Sequence, residues 1–256
     1  MCAGLPIISA TAGIHFRLMK YLDLTLPSPE QNLALEEALL EWAETTQNEC
    51  LRFWESATHF VVLGAGSPIN TDVNRAQCER LGVPVLRRCS GGGTVVQGPG
   101  CLNYTLVLDM EKHAPLSGIT STNDYILGRV ASALERCGLP GATVQGISDL
   151  TQGPLKFSGN AQRRRKRFIL FHGTLLHRFD LALISQCLDV PEKMPDYRGE
   201  REHGLFVTNI AVDAARAKRE IAAEWGAESP LVVWPIERTT ELARTRYCDP
   251  AWTERI

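Results

Sequence analysis

The sequence predicts one α/β domain built on a mixed sheet, and three observations carry that prediction. Short runs rich in β-branched and aromatic residues alternate with segments of helical spacing. Glycines punctuate the ends of both kinds of segment. No internal repeat, low-complexity tract or linker divides the chain, whose 256 residues stand near the upper end of what one core supports.

The first 17 or so residues are expected to form a poorly ordered or strand-like lead-in, with structure beginning at Met19 to Leu24. In SPEQNLALEEALLEW, Ser28 caps a helix that Pro29 opens, and Leu33, Leu35, Ala38, Leu39 and Trp42 form its apolar face to Trp42. Cys50 to Trp54 and His59 to Gly64 read as strands. Val73 to Leu81 suits a short helix stopped by Gly82, and Val83 to Arg88 a strand leading into Gly91, Gly92 and Gly93. Alternation through Leu102, Tyr104, Leu106 and Leu108 marks the next strand. Ile126, Leu127, Val130, Ala133 and Leu134 space a helix from Thr122 to Arg136, ending at Cys137 and Gly138. Apolar segments follow at Ala142 to Ile147, Leu155 to Ser158 and Phe168 to Leu176, with Arg163 to Arg167 as a hairpin tip. Helical stretches from Ala211 to Trp225 and Ile236 to Arg246 close the chain.

Composition narrows the function classes. With 44% hydrophobic and 22% charged residues and a net charge of −2, there is no bulk electrostatic case for a nucleic-acid or membrane partner. Eight scattered cysteines without a C-x-x-C pair read as reduced thiols and provide no structural zinc site, so no metal ligand set is expected. No apolar run approaches the roughly 20 residues of a spanning helix, and MCAGLPIISATAG lacks a charged n-region. A cytoplasmic protein is expected.

Three segments stand out chemically. In RRCSGGGTVV, three glycines let a backbone approach a ligand closely and offer consecutive N–H donors to a phosphate or carboxylate, although a glycine-rich hairpin turn would use the same residues. Neither the P-loop nor the dinucleotide fingerprint is present. In the second segment, Asp149 and Leu150 precede LKFSGNAQ, which sets Lys156 among apolar neighbours before a Ser-Gly-Asn turn. Such a lysine is either a mobile charge for a phosphate or oxyanion, or a surface residue on a strand edge. In the third, FHGTLL, His172 is a base or an ordinary strand histidine. The Arg163 to Arg167 run is a solvated loop or a dock for an acidic partner.

In order and spacing, RRCSGGGTVV, DL…KFSGNAQ and HGTLL together resemble the signature of the lipoate protein ligase family, related to biotin protein ligases and octanoyltransferases. The likeness runs from NLALEEALL through LNYTLVL to VTNI at Val207 to Ile210 and YCDPAW at Tyr247 to Trp252. It implies the family's α/β (α+β) catalytic-domain fold, a large mixed β-sheet flanked by helices. It also implies that Arg88, Ser90, Gly91, Gly92, Gly93 and Val95 line an acyl-adenylate site in which Lys156 is the central catalytic cation. By the same resemblance Asp149 lies near the nucleotide, Gly159, Asn160 and Ala161 form the turn beside the lysine, and His172, Gly173 and Thr174 border the acyl pocket. The implied reaction joins lipoate or octanoate to ATP, with Mg²⁺, and passes the acyl group to a lysine of a lipoyl carrier domain.

The sequence departs from the family pattern in places. Ala65-Gly66-Ser67-Pro68 follows Gly64 where Gly-Arg and Gln-Asn are usual, Gln97 stands where histidine is common, and Cys101 where asparagine is. The chain ends without the C-terminal domain of two-domain ligases, so a separate accessory domain or subunit is an alternative to acting alone. An ATP-independent transferase would need a cysteine nucleophile just before Asp149, where GATVQGI has none; Cys137, the nearest thiol upstream, falls at the end of the preceding helix, which leaves Cys89 and Cys101 on either side of the glycine turn. A non-catalytic binder of an acylated carrier is the remaining reading.

Overall fold

The computed structural model describes residues 19–189, 196–199 and 201–256. The expected lead-in before residue 18 lies outside these. In chain order the elements are β1 (Lys20–Asp23), α1 (Pro29–Thr46), β2 (Cys50–Trp54), β3 (Phe60–Leu63), α2 (Ile69–Asp72), α3 (Arg75–Leu81), β4 (Val85–Arg87), β5 (Val95–Gln97), β6 (Cys101–Asp109) and α4 (Ile119–Arg136). They continue with β7 (Ala142–Gln145), β8 (Asp149–Gln152), β9 (Leu155–Arg164), β10 (Phe168–Leu176), α5 (Ala182–Cys187), α6 (His203–Phe206), α7 (Ala214–Glu224), β11 (Ser229–Pro230), α8 (Ile236–Leu242) and α9 (Pro250–Thr253), with a π-helical turn at Ala243–Tyr247.

Among the described residues the strands form a large mixed sheet of eight, ordered β11-β1-β2-β6-β10-β9-β8-β7, and a second sheet of three, ordered β4-β3-β5. In the large sheet β1 runs parallel to β2 and β11, and every other pairing is antiparallel. Its two faces are both apolar, as a sheet covered on both sides requires. Along β10, Ile169 and Phe171 join the core under α4 and α7, while Phe168 and Leu170 join Leu35, Leu39 and Leu40 of α1. Period-two alternation therefore carries His172 and Thr174 onto the α1 side.

Helix α1 starts where its cap dictates. Ser28 Oγ accepts from Gln31 N and the Gln31 side chain accepts from Ser28 N, which closes a capping box; the helix runs four residues past Trp42 and ends at Gln47 in the left-handed region.

The glycine segment is not a hairpin turn. Strands β4 and β5 flank β3, with β4 parallel and β5 antiparallel to it, so residues 88–94 arc over the end of β3 where Leu63 pairs with Arg87. A Cβ on Gly64 would meet the Gly92 carbonyl oxygen at 1.9 Å, so a glycine at 64 is what lets the arc sit this low.

The basic run does form the β9–β10 turn, yet its arginines are engaged within the molecule. Arg165 pairs with Glu41 at 2.8 Å and Arg167 with Asp109 at 2.6 Å, while Arg163 donates to the Cys89 carbonyl at 2.7 Å. Docking of an acidic partner on this run would have to displace these contacts. Among the described residues no helix is long and apolar enough to cross a membrane.

Candidate active site

A cavity of about 870 Å³ opens between the glycine arc and the ends of β8, β9 and β10. It gathers most of the residues singled out in the sequence: Arg88, Gly92, Gly93, Val95, Asp149, Lys156, Gly159, Asn160, Ala161, His172, Gly173 and Thr174. Ser90 and Gly91 differ from expectation. Ser90 is fully buried with its hydroxyl turned away toward His172, and Gly91 is exposed with its carbonyl held by Arg88, so neither forms part of the cavity wall.

Arg88 explains the shape of the arc. Its guanidinium donates to Ser90 Oγ at 3.0 Å, to the Gly91 carbonyl at 2.7 Å and to the Gly93 carbonyl at 2.8 Å. Burial pulls its pKa down to about 10, partly opposed by Glu36. Ser67 Oγ donates to the Gly92 carbonyl at 3.2 Å and Ala65 N to the Ser90 carbonyl at 2.7 Å. The unusual Ala65 to Ser67 turn is thus a brace for the arc. With its carbonyls occupied, the arc has N–H groups left to offer a ligand, the arrangement that favours an anion. Gly92 has φ 86°, and the arc rests on Ala161, which a Cβ at Gly92 would meet at 3.4 Å.

Behind the arc runs a directed chain of hydrogen bonds. Glu36, buried on α1, accepts at Oε1 from Trp54 Nε1 at 3.0 Å and Thr105 Oγ1 at 2.6 Å. Its Oε2 lies 2.6 Å from His172 Nδ1, and His172 Nε2 lies 2.6 Å from Ser90 Oγ. Burial raises the Glu36 pKa, but His172, Arg52 and the Thr105 hydroxyl outweigh it and bring the group down to about 2. An ionised carboxylate only accepts, so His172 Nδ1 carries a proton, and in the neutral tautomer Nε2 then accepts from Ser90. Ser90 in turn accepts from Arg88 Nε. This is serine, histidine and glutamate in triad order, yet the serine hydroxyl is buried and pinned by an arginine. The chain therefore fixes the arc and does not supply a nucleophile.

Lys156 sits on the cavity wall with its ammonium 2.8 Å from Asp149 Oδ1. Tyr197 donates to Asp149 Oδ2 at 2.7 Å. Gly159 makes room for the lysine, because a Cβ there would meet Nζ at 3.2 Å. Asn160 does not form a turn: it lies within β9, accepts from Tyr104 Oη at 2.5 Å and donates to the Ser148 carbonyl at 2.8 Å. A Cβ on Gly173 would meet Asn160 Oδ1 at 1.7 Å, so glycine at 173 is a packing requirement. Thr174 donates to Asn103 Oδ1 and accepts from Gln97 Nε2.

Sequence reasoning missed Glu36, Tyr104, Tyr197 and Arg198. The adjacent Glu36 and Glu37, enclosed by apolar residues on both sides in NLALEEALL, were the available signal for the first. Among the described residues no cysteine lines the cavity. Cys89 is buried behind the arc with its thiol pushed up to about 12, and burial also raises Cys101.

Residues 28–221 match the model of the lipoyl protein ligase A/B catalytic domain. The chain belongs to that family. It is 34% identical over 179 residues to the candidate lipoate-protein ligase A of Aeropyrum pernix, covering 70% of this chain and 65% of the relative. To lipoate-protein ligase 1 of Staphylococcus aureus it is 27% identical over 193 residues, 75% of this chain and 56% of the relative. The octanoyltransferase LipM of Carboxydothermus hydrogenoformans is 28% identical over 186 residues, covering 66% and 68%. The chain thus spans between about half and two thirds of the ligase relatives named here. The same fold is seen in the bipartite lipoate protein ligase of Thermoplasma acidophilum, described in a structural analysis of that ligase and its E2 lipoyl domain (TM-score 0.80, 23% identity, 93% of this chain and 96% of that one). It is also seen in a lipoate-protein ligase A bound with ATP (TM-score 0.78, 22% identity, 93% and 98%). The large mixed sheet flanked by helices is therefore the family's fold.

Proposed function

We propose that this chain is the catalytic part of a lipoate-protein ligase, which activates lipoate or octanoate with ATP and transfers the acyl group to a lysine of a lipoyl carrier domain. The observation that carries the reading is the convergence on one cavity of an arc with free N–H groups and a half-buried lysine, in a chain of this family.

In the first step a carboxylate oxygen of the acid attacks the α-phosphorus, and the bond to the β-phosphate breaks with loss of pyrophosphate. Lys156 is placed to offset charge on the α-phosphate and the acyl carbonyl oxygen, and the arc's N–H groups to hold the same oxygens. In the second step the carrier lysine amine attacks the acyl carbonyl and AMP leaves. Apolar residues of the cavity wall, among them Leu33, Trp54 and Val62, suit a hydrocarbon chain. Magnesium bound with a nucleotide takes one or two protein carboxylates beside the phosphates, and Asp149 would hold it. Asp149 already serves Lys156 and Tyr197, and the described residues contain no cluster of three metal-ligating side chains.

Among the described residues no cysteine lines the cavity, which favours adenylation over thioester transfer. Incubation with lipoate, ATP and Mg²⁺, with and without a lipoyl carrier domain, tests the reading through adenylate formation and carrier mass. ATP-free transfer from an octanoyl carrier protein would overturn it in favour of a transferase. Adenylation that appears only on adding a separate accessory domain would make this a bipartite ligase, the arrangement named for the Thermoplasma relative.

A further inference from the structure

Of the arginine and lysine side chains that line the cavity among the described residues, two are already committed. Arg88 spends its donors on the glycine arc, and Lys156 is paired with Asp149. Arg198 is different. It is 4% exposed and lines the cavity; its Nε donates to the Arg201 carbonyl at 3.0 Å, while its Nη2 is buried with no hydrogen-bond partner. It also has no carboxylate within ion-pairing distance among the described residues.

The neighbouring arginine shows that this is a built arrangement. Arg201 donates to the carbonyls of Arg198, Tyr197 and Pro154, which ties the segment to the β8–β9 turn. Both guanidinium groups lie against the Phe206 ring, Arg198 at 4.9 Å and Arg201 at 5.3 Å. Other buried arginines contrast with it: Arg52 and Arg87 direct their donors to backbone carbonyls and, for Arg52, to Asn32 Oδ1. A buried guanidinium with an orphan nitrogen is destabilising unless an anion completes it.

We infer that Arg198 is an anion-binding residue for the terminal phosphates of the nucleotide, the part that departs as pyrophosphate. This rests on the ligase reading above for the identity of the anion. The placement follows from the shared cavity: Tyr197 holds Asp149, Asp149 holds Lys156, and Arg198, adjacent to Tyr197 in sequence, lines the same cavity. Lys156 is ion-paired with Asp149 and serves the reacting centre, so the charge that builds on the leaving pyrophosphate needs a further cation. A planar guanidinium with free donors suits polyphosphate oxygens.

Calorimetric titration of the full chain with inorganic pyrophosphate, ATP and AMP tests the inference. Wild type is expected to bind pyrophosphate and ATP. Arg198→Met should weaken both by about ten- to a hundredfold while changing AMP affinity less than twofold. Arg198→Lys keeps the charge without the fork and should fall between; it also carries the test if the methionine variant fails to melt cooperatively. Unchanged pyrophosphate affinity in either variant, an equal loss for AMP, or a wild type that binds no pyrophosphate would overturn the assignment. An Arg198-dependent pyrophosphate site in a protein that forms no acyl-adenylate would leave this site standing and remove the ligase reading.

Discussion

Replacing Glu36 with glutamine isolates the chain that holds the glycine arc. The carboxylate is fully buried and accepts from Trp54, Thr105 and His172, and these partners bring its pKa from an ordinary 4.5 to about 2. A group displaced that far on folding contributes about 3 kcal/mol of stability at neutral pH. For a chain of this size Glu36→Gln should then lower Tm by about 6–12 °C at pH 7. The sign of the pH dependence follows. Because the folded pKa is depressed, the contribution is complete above pH 4.5 and is lost as pH falls toward 2. At pH 4 roughly a quarter of the wild-type advantage should already be gone. There is a chemical consequence as well. An amide can donate to Nδ1, which moves the imidazole proton to Nε2 and sets two donors, His172 and Arg88, against Ser90 Oγ. Adenylate formation should therefore fall more than the stability loss explains at temperatures where the variant is folded. Urea titrations of both proteins at pH 7, 5 and 4 supply the numbers. A Tm loss under 2 °C, or a gap between the proteins that stays constant from pH 7 to pH 4, would refute the reasoning.

Other perturbations follow from the same geometry. Lys156→Ala should reduce adenylate formation by at least a hundredfold with Tm within about 2 °C of wild type, since the side chain is partly exposed and no core volume is lost; near-normal turnover would remove its assigned role. Gly173→Ala puts a methyl on Asn160 Oδ1 and should cost about 1–3 kcal/mol, read by urea denaturation, and an unchanged midpoint would show the contact relaxes freely. Cys89→Ser and Cys101→Ser should each retain ATP-dependent transfer, because neither thiol reaches the cavity; loss of transfer together with a lost acyl-thioester in mass spectra would argue for thiol chemistry. Gly64→Ala should push the arc from its seat and weaken nucleotide binding severalfold more than it weakens the fold, and equal binding would show that the arc moves with β3.

The sequence made legible those elements whose ends carry local chemistry. The Ser28 cap, the strand Cys50–Trp54 and the strand Phe168–Leu176 lie where cap, alternation and glycine place them. Reading failed where tertiary packing overrides turn propensity. Ser158, Gly159 and Asn160 have turn chemistry, yet they sit mid-strand between β8 and β10, because Gly159 seats Lys156 and Asn160 pairs with Tyr104 and Ser148. Asp149–Gln152 is a four-residue strand of mixed character, too short to show a period, and the β4-β3-β5 order cannot be read from segments that only adjoin in sequence. The motif residues of the cavity were legible as motifs. Glu36 was not, since a glutamate on an amphipathic helix ordinarily reads as its solvated face, and Tyr197 and Arg198 lie in a polar stretch with no periodicity.

Two adjacent buried carboxylates on α1 explain why the arc holds its shape. Glu36 and Glu37 point in directions about 100° apart around the helix. Glu36 reaches the arc through His172 and Ser90, while Glu37 meets Arg246 at 2.6 Å and Tyr247 Oη at 2.9 Å in the C-terminal segment. From the opposite side that segment returns to the same place: Arg87 donates to the Thr253 carbonyl, and Trp252 Nε1 to the Arg87 carbonyl. Arg163 completes the enclosure through the Cys89 carbonyl. Burying charges is costly and seldom a net source of stability, so their concentration around seven residues of backbone needs another justification. A backbone that must present N–H groups to an anion gains from not having to reorganise, and fixed dipoles are worth most where water is excluded. The buried pairs around residues 88–94 hold the arc ready before a ligand arrives.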